Sequence, residues 1–333
     1  MIPKVIAEAG QCNQGSINKA IEMAQLAADA GAWGFKTQLL KPDTIARADA
    51  PKYWSDNFGT ANQREAFTKA GLVDYGRWAE VKAACDDFGI RFLATPFDLE
   101  AVDVLVGMGC DTIKIASGDI TYKQLLQHVR ESGANVFLST GAASLTEIIR
   151  AVDLWLDASR VTLLACTLSY PTPADAAHLA RIESLGEEFP GSKLGYSDHT
   201  SLPETAMCAA VLGAEVIEVH YTTDRNGSDV PDHAMAVDPP MLAEYVQAAM
   251  FGARLRGNGK LMPVAAEMAA RNGARRSAVA NRDLPAGMWM SEEYCDFLRP
   301  GDGLPPGYNF AARRLAVPVE KGTVLQEHHF GVK

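Results

Sequence analysis

Eight short apolar runs, each followed by a stretch of helical periodicity, alternate along roughly the first 255 residues of the chain. Many runs are rich in Val, Ile, Leu and Phe without strict alternation, which is typical of strands buried on both faces of a parallel sheet. Eight strand–helix units of this total length are typical of a (β/α)8 TIM barrel. An open doubly wound sheet is the alternative, but no Gly-x-Gly-x-x-Gly follows the first run. We therefore predict an α/β fold closed into a barrel.

The alternation also predicts where each element lies. The expected strands are Val5–Ala9, Trp33–Gln38, Arg91–Thr95, Thr112–Ala116, Val136–Ser139, Val161–Cys166, Lys193–Tyr196 and Val216–Tyr221. The expected helices are Asn18–Ala30, Asp74–Phe88, Leu99–Met108, Lys123–Ser132, Leu145–Asp157, Ala174–Glu188, Leu202–Leu212 and Pro240–Leu255. Ser144 is a plausible N-cap for the helix that begins at Leu145, and several predicted helices end at a glycine.

Polar residues gather just past the C-terminal ends of almost all of these runs. They are Glu8, Lys36, Gln38, Thr95, Asp98, Lys114, Ser117, Asp119, Ser139, Thr140, Tyr170, Ser197, Asp198, His199 and His220. In a barrel all of these ends point to one face, where catalytic groups collect. The pattern therefore predicts a single site at that face.

Composition and charge exclude several classes of partner. No apolar run approaches the roughly 20 residues of a membrane span, and the first run is too short for a signal peptide, so we expect a cytoplasmic protein. Six scattered cysteines without a Cys-x-x-Cys pair indicate reduced thiols. The net charge of −10 argues against nucleic acid or an anionic membrane surface as a partner. An anionic substrate would need basic residues concentrated in one cleft.

Two histidines follow successive predicted strands, His199 in Gly195–Thr200 and His220 in Glu218–Thr222. A lone histidine at a strand end is more often a structural hydrogen-bonder than a metal ligand. Together, and with Glu8 in the same barrel mouth, the pair would make an open site for Mn²⁺, Fe²⁺, Co²⁺ or Zn²⁺, and water could complete a Mg²⁺ shell.

Two lysines, Lys36 and Lys114, lie inside apolar strands, where a charge is costly unless it faces a partner. A buried lysine–carboxylate pair, a Schiff-base lysine with a depressed pKa and an anion clamp are all open interpretations. Hydroxyl and loop N–H donors come before and after Lys114 in the sequence, at Thr95, Ser117–Gly118 and Ser139–Gly141. Such donors hold phosphate or carboxylate. Two lysines favour the clamp, because Schiff-base chemistry needs one isolated amine.

Two further regions complete the predicted organisation. The long connection Leu39–Gly71 is a candidate lid or specificity loop on the catalytic face, and the polar segment Thr223–His233 is suited to gripping a polyol. We predict a barrel domain over residues 1–256, a linker with a short helix over residues 257–274, and a small β-rich domain over residues 275–333.

A series of short motifs runs in order along nearly the whole chain. The motifs are Ile6–Gly10, Phe35–Gln38, Thr95–Asp98, Lys114–Gly118, Ser139–Gly141, Tyr170–Pro171, Gly195–Thr200, Glu218–His220 and Pro231–His233. In this order they resemble the sialic acid (N-acetylneuraminate) synthase family. The terminal segment, with Arg275–Ser277 and Leu298–Gly303, resembles the antifreeze-like (SAF) domain of the same enzymes.

The resemblance implies a transferase of the acyltransferase type that forms a carbon–carbon bond. It would condense phosphoenolpyruvate with the open-chain aldehyde of N-acetylmannosamine or a modified hexosamine, giving a nonulosonic acid and phosphate. The implied cation is Mn²⁺, with Mg²⁺ or Co²⁺ as alternatives, held by His199 and His220. The implied phosphoenolpyruvate-binding residues are Lys36, Thr95, Lys114, Ser117, Ser139 and Ser197. The implied sugar-binding residues are Gln38, Tyr170, Asp232 and Arg299. The implied catalytic residues are Glu8, Asp119, His199 and His220, with Glu8 a candidate for proton transfer.

The resemblance also implies a domain-swapped homodimer in which Arg299 reaches the N-acyl group from the partner subunit. Three departures concern the substrate side: Cys12–Gly15 replaces an Asn-His-Asn-Gly run, Asp119 replaces a glutamate, and Leu168 replaces an asparagine that contacts phosphoenolpyruvate. A legionaminic- or pseudaminic-type product is therefore as compatible with the sequence as the product formed from N-acetylmannosamine. The alternatives are a class I aldolase with Lys114 as the Schiff base and a non-catalytic sugar-phosphate-binding relative. The intact histidine pair argues against the second.

Overall fold

The computed structural model describes residues 2–54, 59–227 and 230–331. Contacts within the chain divide it into two compact units, with the boundary between Asn258 and Gly259. The finer boundaries predicted at residues 256 and 274 stay predictions. Residues 55–58 of the predicted lid and residues 228–229 of the polyol-binding segment lie outside the described residues.

The first unit is built on eight parallel strands. These are β1 (Lys4–Glu8), β2 (Gly34–Leu39), β3 (Arg91–Pro96), β4 (Thr112–Ile115), β5 (Asn135–Ser139), β6 (Val161–Cys166), β7 (Lys193–Asp198) and β8 (Val216–His220). Their order is β3-β2-β1-β8-β7-β6-β5-β4, and β3 and β4, at its two ends, lie in contact. The predicted TIM barrel is confirmed, and the predicted strand ends are within two residues of the observed ones.

Side chains alternate along each strand between the barrel interior and the surrounding helices. An apolar layer of the interior is formed by Ile6, Leu93, Phe137, Leu164 and Val216. Two residues further along the same strands come Glu8, Thr95, Ser139, Cys166 and Glu218. Because the side-chain period of a strand is two, this second set forms a mostly polar layer directly above the apolar one. Gly195 allows the layers to close, since a Cβ there would lie 2.6 Å from the Val216 carbonyl oxygen.

Helices connect the strands and cover the barrel. The helices are α1 (Ile17–Asp29), α2 (Pro42–Ile45), α3 (Gln63–Lys69), α4 (Trp78–Phe88), α5 (Leu99–Gly107), α6 (Lys123–Glu131), α7 (Leu145–Val152), α8 (Arg181–Glu188), α9 (Pro203–Val211), α10 (Pro239–Arg256) and, in the second unit, α11 (Met268–Ala274). The cap predicted at Ser144 is confirmed as a full capping box with Glu147.

Three predicted helices are shorter than expected by four residues or more. The helix predicted over Asp74–Phe88 begins at Trp78, after a 3-10 turn over Tyr75–Arg77. The helix predicted over Ala174–Glu188 begins only at Arg181, because His178 has a φ of 47°, which a right-handed helix does not accept. The helix predicted over Leu145–Asp157 ends at Val152, after which the chain turns and buries the Trp155 side chain. The long insertion Leu39–Gly71, which has no clear period in sequence, contains α2 and α3.

The second unit contains a two-stranded antiparallel sheet of β9 (Ser277–Ala280) and β10 (Cys295–Leu298). It has a hydrophobic core of its own. This core includes Ala278, Leu284, Leu304, Phe310, Leu315, Val319, Leu325 and Phe330. Arg299 follows β10 directly and is exposed. Over both units, none of the described helices is long and apolar enough to cross a membrane.

Candidate active site

The predicted site residues of the first unit lie at or just beyond the C-terminal ends of the barrel strands. Most are brought into two adjoining groups. The buried group contains Glu8, Lys36, Thr95, Lys114, Ser139, Ser197 and His199. The group that lines an open cavity contains Gln38, Ser117, Asp119, Tyr170, His220 and Asp232. Arg299 belongs to the second unit.

Lys36 lies in a set of buried polar contacts near the ends of β1, β2 and β3. Its Nζ is 2.5 Å from Glu8 Oε2 and 3.7 Å from Glu218 Oε2, and it donates to Thr95 Oγ1 at 2.9 Å. Burial lowers the pKa of the Lys36 amine, but Glu218 and Glu8 outweigh burial and raise the pKa above its ordinary value. Lys36 is therefore a charged ammonium held by two carboxylates.

Lys114, on β4, also contacts the Glu218 carboxylate. Its Nζ donates to Glu218 Oε1 at 3.2 Å, and Ser197 Oγ donates to the same oxygen at 3.2 Å. Burial lowers the pKa of Lys114, and the net pKa stays below its ordinary value despite the attraction of Glu218. Burial raises the pKa of the Glu218 carboxyl, but Lys114 and Lys36 outweigh burial and lower it to about 2.

Glu218 is a candidate site residue that the sequence interpretation did not select. It appeared there only as part of the motif that ends in His220. Two signals in the sequence point to it: it is a carboxylate inside an otherwise apolar run, and it lies two residues before His220, so both side chains face the barrel interior. Because Glu218 contacts both lysines, the three side chains form one cluster. The cluster contains the buried lysine–carboxylate pair considered above and also the two lysines of the proposed anion clamp.

Hydroxyl groups border this cluster. Ser117 Oγ accepts a hydrogen bond from the Gly141 N–H at 3.0 Å, which ties the loops after β4 and β5 together. Ser139 Oγ is buried and makes no hydrogen bond to any residue in the described ranges. A buried hydroxyl of this kind is a ready partner for a ligand oxygen.

The two histidine rings lie side by side, with centroids 5.3 Å apart. His199 Nδ1 is 2.8 Å from the Thr167 carbonyl oxygen. Because a carbonyl only accepts, Nδ1 is the donor, and Nε2 of the neutral ring keeps its lone pair for another partner. The Tyr170 ring packs against both, with centroid distances of 4.4 Å to His199 and 6.0 Å to His220.

The protonation of the two rings differs. Burial lowers the pKa of His220 well below its ordinary value, and the nearby His199 adds to this, so the His220 ring is neutral. Burial also lowers the pKa of His199, but Cys166 and the Thr167 carbonyl outweigh it and raise the net pKa. A proton and a metal ion compete for the same ring nitrogen. Across the described residues, no cluster of three or more His, Cys, Asp or Glu side chains is placed to hold a metal ion.

Asp232 connects the loop after β8 to this pair. Its Oδ2 lies 3.8 Å from His220 Nδ1, which is buried and has no hydrogen-bond partner in the described parts of the chain. Burial and the nearby Glu8 raise the pKa of Asp232 to about 6. The Asp232 carboxylate can lie against the backbone of residue 10 because that residue is glycine. Its φ is 52°, and any Cβ there would collide with the carboxylate. Gln38 Nε2 donates to Glu8 Oε1 at 3.3 Å.

A cavity of about 520 Å³ lies above the buried group. The predicted lid contributes to it, because Tyr53, Trp54 and Phe67 of the insertion line it. Two of the positions that depart from the family pattern, Asp119 and Leu168, also line it. Burial raises the pKa of Asp119 to about 6. A cavity with a few converging polar groups and displaced pKa values is typical of a small-molecule site.

Comparison with known proteins identifies relatives of the chain. The model of the NeuB family matches residues 23–260 of the chain. The chain is 34% identical to the N,N'-diacetyllegionaminic acid synthase of Campylobacter jejuni, over 90% of this chain and 91% of that protein. It is 31% identical to the N,N'-diacetyllegionaminic acid synthase of Legionella pneumophila, over 98% of this chain and 94% of that protein. The crystal structure of the N-acetylneuraminic acid (sialic acid) synthetase of Leptospira borgpetersenii matches with a TM-score of 0.72 at 33% identity, covering 80% of this chain and 90% of that chain.

Proposed function

The chain belongs to the NeuB family, and we propose that it condenses phosphoenolpyruvate with an acylamino sugar. The Campylobacter and Legionella relatives described above are named as synthases of a sugar acid. The sugar reacts as its open-chain aldehyde. The products are a nonulosonic acid and inorganic phosphate.

The observation that carries this proposal is the buried cluster of Lys36, Lys114 and Glu218 beside the paired histidines. Lys36 and Lys114 share Glu218 as a counter-ion. Ser139, at the end of β5 beside the strand of Lys114, has a hydroxyl with no hydrogen-bond partner among the described residues. Lysines and hydroxyls of this kind bind the phosphate and carboxylate of an anionic substrate. The aldehyde would lie next to the imidazoles, on the cavity side.

The proposed condensation consumes one water molecule and releases one phosphate. C3 of phosphoenolpyruvate attacks the aldehyde carbon, a carbon–carbon bond forms, and the aldehyde oxygen takes up a proton. Water adds at C2 of the former phosphoenolpyruvate and the bond from C2 to the phosphate oxygen breaks. The C2 hydroxyl loses its proton to the departing phosphate, which leaves a ketone at C2. Glu8, which is paired with Lys36 and accepts a hydrogen bond from Gln38, would transfer the proton between water and the aldehyde oxygen. Asp119, with a pKa of about 6, is a second candidate acid.

A divalent cation fits the two histidines. His220 supplies a neutral ring whose Nδ1 has no hydrogen-bond partner among the described residues, and His199 supplies a ring oriented by Thr167. We assign Mn²⁺ to this open site, with Mg²⁺ or Co²⁺ as alternatives, because only two positions would be imidazole and the others would be filled by the oxygen ligands that Mn²⁺ and Mg²⁺ prefer. When bound, the cation would polarise the aldehyde oxygen as a Lewis acid. Tyr170 would keep the two rings in place by packing against both.

The sugar would be oriented by Gln38, Tyr170 and Asp232 from the barrel. We also propose that Arg299 reaches its N-acyl group from the partner subunit of a homodimer. Arg299 is exposed at the end of β10, which leaves its guanidinium accessible to a second chain. This part of the proposal rests on the family resemblance.

The test is phosphate release from phosphoenolpyruvate with a panel of N-acylated hexosamines and Mn²⁺. Release that needs both substrates and is stopped by EDTA supports the proposal. The lowered pKa of Lys114 favours one competing function, a Schiff-base aldolase. Borohydride added during turnover separates the two, because only an aldolase leaves a covalent adduct on Lys114. Sugar binding without phosphate release would indicate a non-catalytic relative.

A further inference from the structure

The carboxylate of Asp98 contacts the chain near both ends of the Leu39–Gly71 insertion. Its Oδ2 lies 3.0 Å from Thr44 Oγ1, near the start of the insertion. The same oxygen accepts a hydrogen bond of 2.9 Å from the hydroxyl of Tyr75, just after the end of the insertion. Closing a long loop at its base costs conformational entropy, which these two contacts offset.

Asp98 is held in place by the barrel rather than by the insertion. Its Oδ1 accepts a hydrogen bond of 2.8 Å from the Ala101 N–H and so caps α5, which leaves Oδ2 for the insertion. The preceding residue, Phe97, donates its backbone N–H to the Leu39 carbonyl at 3.0 Å. The connection between β3 and α5 therefore grips the start of the insertion through both backbone and side chain.

The neighbouring contacts are weaker than those of Asp98. Lys41 Nζ lies 2.6 Å from Glu100 Oε2, but both side chains are exposed, and ion pairs of this kind contribute little. The Thr44 hydroxyl also lies 3.0 Å from the Lys41 carbonyl oxygen, which is a weaker acceptor than a carboxylate. Tyr75 is buried, and burial and the hydrogen bond to Asp98 raise the pKa of its hydroxyl, which stays protonated and donates.

Helix α2 extends this contact to the cavity. Ile45, beside Thr44, lines the cavity directly. Helix α2 is also joined to α3, because Arg64 Nη1 lies 3.1 Å from Asp43 Oδ1 and Arg64 Nε donates to the backbone carbonyl of the residue that follows α2. Helix α3 in turn supplies Phe67 to the cavity lining. Whatever holds α2 therefore places the side of the cavity that the insertion forms.

Building on the proposed function, we propose that Asp98 is a positioning residue for the sugar. Its carboxylate fixes the insertion against the connection between β3 and α5, and the insertion forms one side of the site in which the sugar binds. Asp98 does not itself line the cavity, so it acts through Thr44 and Tyr75 and not by touching the sugar. The lysines proposed to bind phosphoenolpyruvate lie on β2 and β4 and do not depend on this contact.

Asp98→Ser separates this role from the capping of α5. Serine is also a favoured N-cap residue, but its side chain is too short to reach Thr44 and Tyr75. Asp238→Ser, which makes the same change at the N-cap of α10, is the matched control. Tyr75→Phe removes one of the two contacts from the other partner.

Hydrogen–deuterium exchange over residues 40–71, read by mass spectrometry, measures how firmly the insertion is held. We expect Asp98→Ser to speed this exchange at least about 10-fold, and Asp238→Ser to leave it unchanged. Tyr75→Phe should speed it less, and should add nothing to Asp98→Ser, because its acceptor is already gone. Unchanged exchange in folded Asp98→Ser would overturn the inference, and a further increase in the double variant would contradict the pairing of Tyr75 with Asp98.

Steady-state kinetics test the effect on the sugar. With phosphoenolpyruvate and an N-acylated hexosamine, we expect Asp98→Ser to raise the KM of the sugar at least about 10-fold, and to change kcat and the KM of phosphoenolpyruvate less than about 3-fold. Equal changes in both KM values, or none in the sugar's, would overturn the positioning role. Turnover of no sugar by the wild type would overturn the proposed function and the positioning role with it. The exchange rates would then still decide whether Asp98 holds the insertion.

Discussion

Glu218 and Lys114, 104 residues apart in the chain, are joined by a hydrogen bond of 3.2 Å between Oε1 and Nζ in the buried layer of the barrel. The same carboxylate lies 3.7 Å from Lys36. Glu218 thus holds two cations that the proposed function assigns to an anionic substrate. In the absence of that substrate, the carboxylate is their shared counter-ion.

Replacing Glu218 with Gln removes this counter-ion. Leaving a buried cation without its partner costs about 3–5 kcal/mol, so we expect the free energy of unfolding to fall by that order. Saturating phosphoenolpyruvate should raise the Tm of the variant more than that of the wild type, because it returns negative charge to the lysines. Glu204→Gln, on the exposed face of α9, is the control. Equal unfolding free energies for Glu218→Gln and wild type would refute the role of the cluster.

Replacing His220 with Ala should reduce turnover at least about 100-fold while the circular dichroism spectrum is unchanged. The physical reason is that one of two imidazoles proposed to hold the cation is lost. Steady-state phosphate release measures the effect. His128→Ala, which removes a surface imidazole paired with Asp103, serves as the control. Wild-type turnover by His220→Ala would rule out the metal role.

The Asp119 carboxyl predicts a pH-dependent stability. Burial raises its pKa to about 6, against an ordinary value of 3.8, so the folded state holds the proton more tightly than the unfolded state. The stabilising contribution of protonated Asp119 is complete below pH 4 and is lost as pH rises through 6. Asp119→Asn should therefore raise the free energy of unfolding by about 1–3 kcal/mol at pH 8 and change it little at pH 4. Denaturant titrations at both pH values measure this, and the same difference at both would contradict it.

Arg299→Ala should raise the KM of the sugar at least about 10-fold and that of phosphoenolpyruvate less than 3-fold, since a guanidinium donating to an N-acyl oxygen serves only the sugar. Mixing this variant with His220→Ala tests whether the arginine crosses the dimer. In a mixed dimer, one site then combines an intact His220 with the partner's intact Arg299, and activity returns. The assay is run at a sugar concentration below the wild-type KM, where both variants are slow. If turnover after subunit exchange stays at the level of the separate variants, Arg299 acts in its own subunit's site or outside any site.

Most of the barrel could be predicted from the sequence, because buried parallel strands leave long apolar runs and their ends carry the polar groups. The period of two also predicts which residues share the interior, as with Ile6 below Glu8. Glu218 was not predicted as a site residue because the sequence does not show which side chains contact it. Its contacts with Lys36 and Lys114 form only when the strands are assembled into the barrel. The late start of α8, the helix before β7, depends on the positive φ of His178, which has no sequence signal.

Specificity was the least predictable part. The insertion Leu39–Gly71 has no clear period, so the sequence could place it on the catalytic face but could not say which side chains line the cavity. That depends on the fold of α3, whose Phe67 faces inward while Thr68 faces outward. The cytoplasmic location and the identity of the cation stay predictions.

The most direct test of the proposed function is the mass of the product formed from phosphoenolpyruvate and an acylamino hexose with Mn²⁺. We predict one product whose mass equals that of the sugar plus one molecule of pyruvic acid. It should form in equal amount to the phosphate released and only when both substrates are present. Phosphate released without the sugar, or a product that lacks the added pyruvyl carbons, would contradict the proposed condensation.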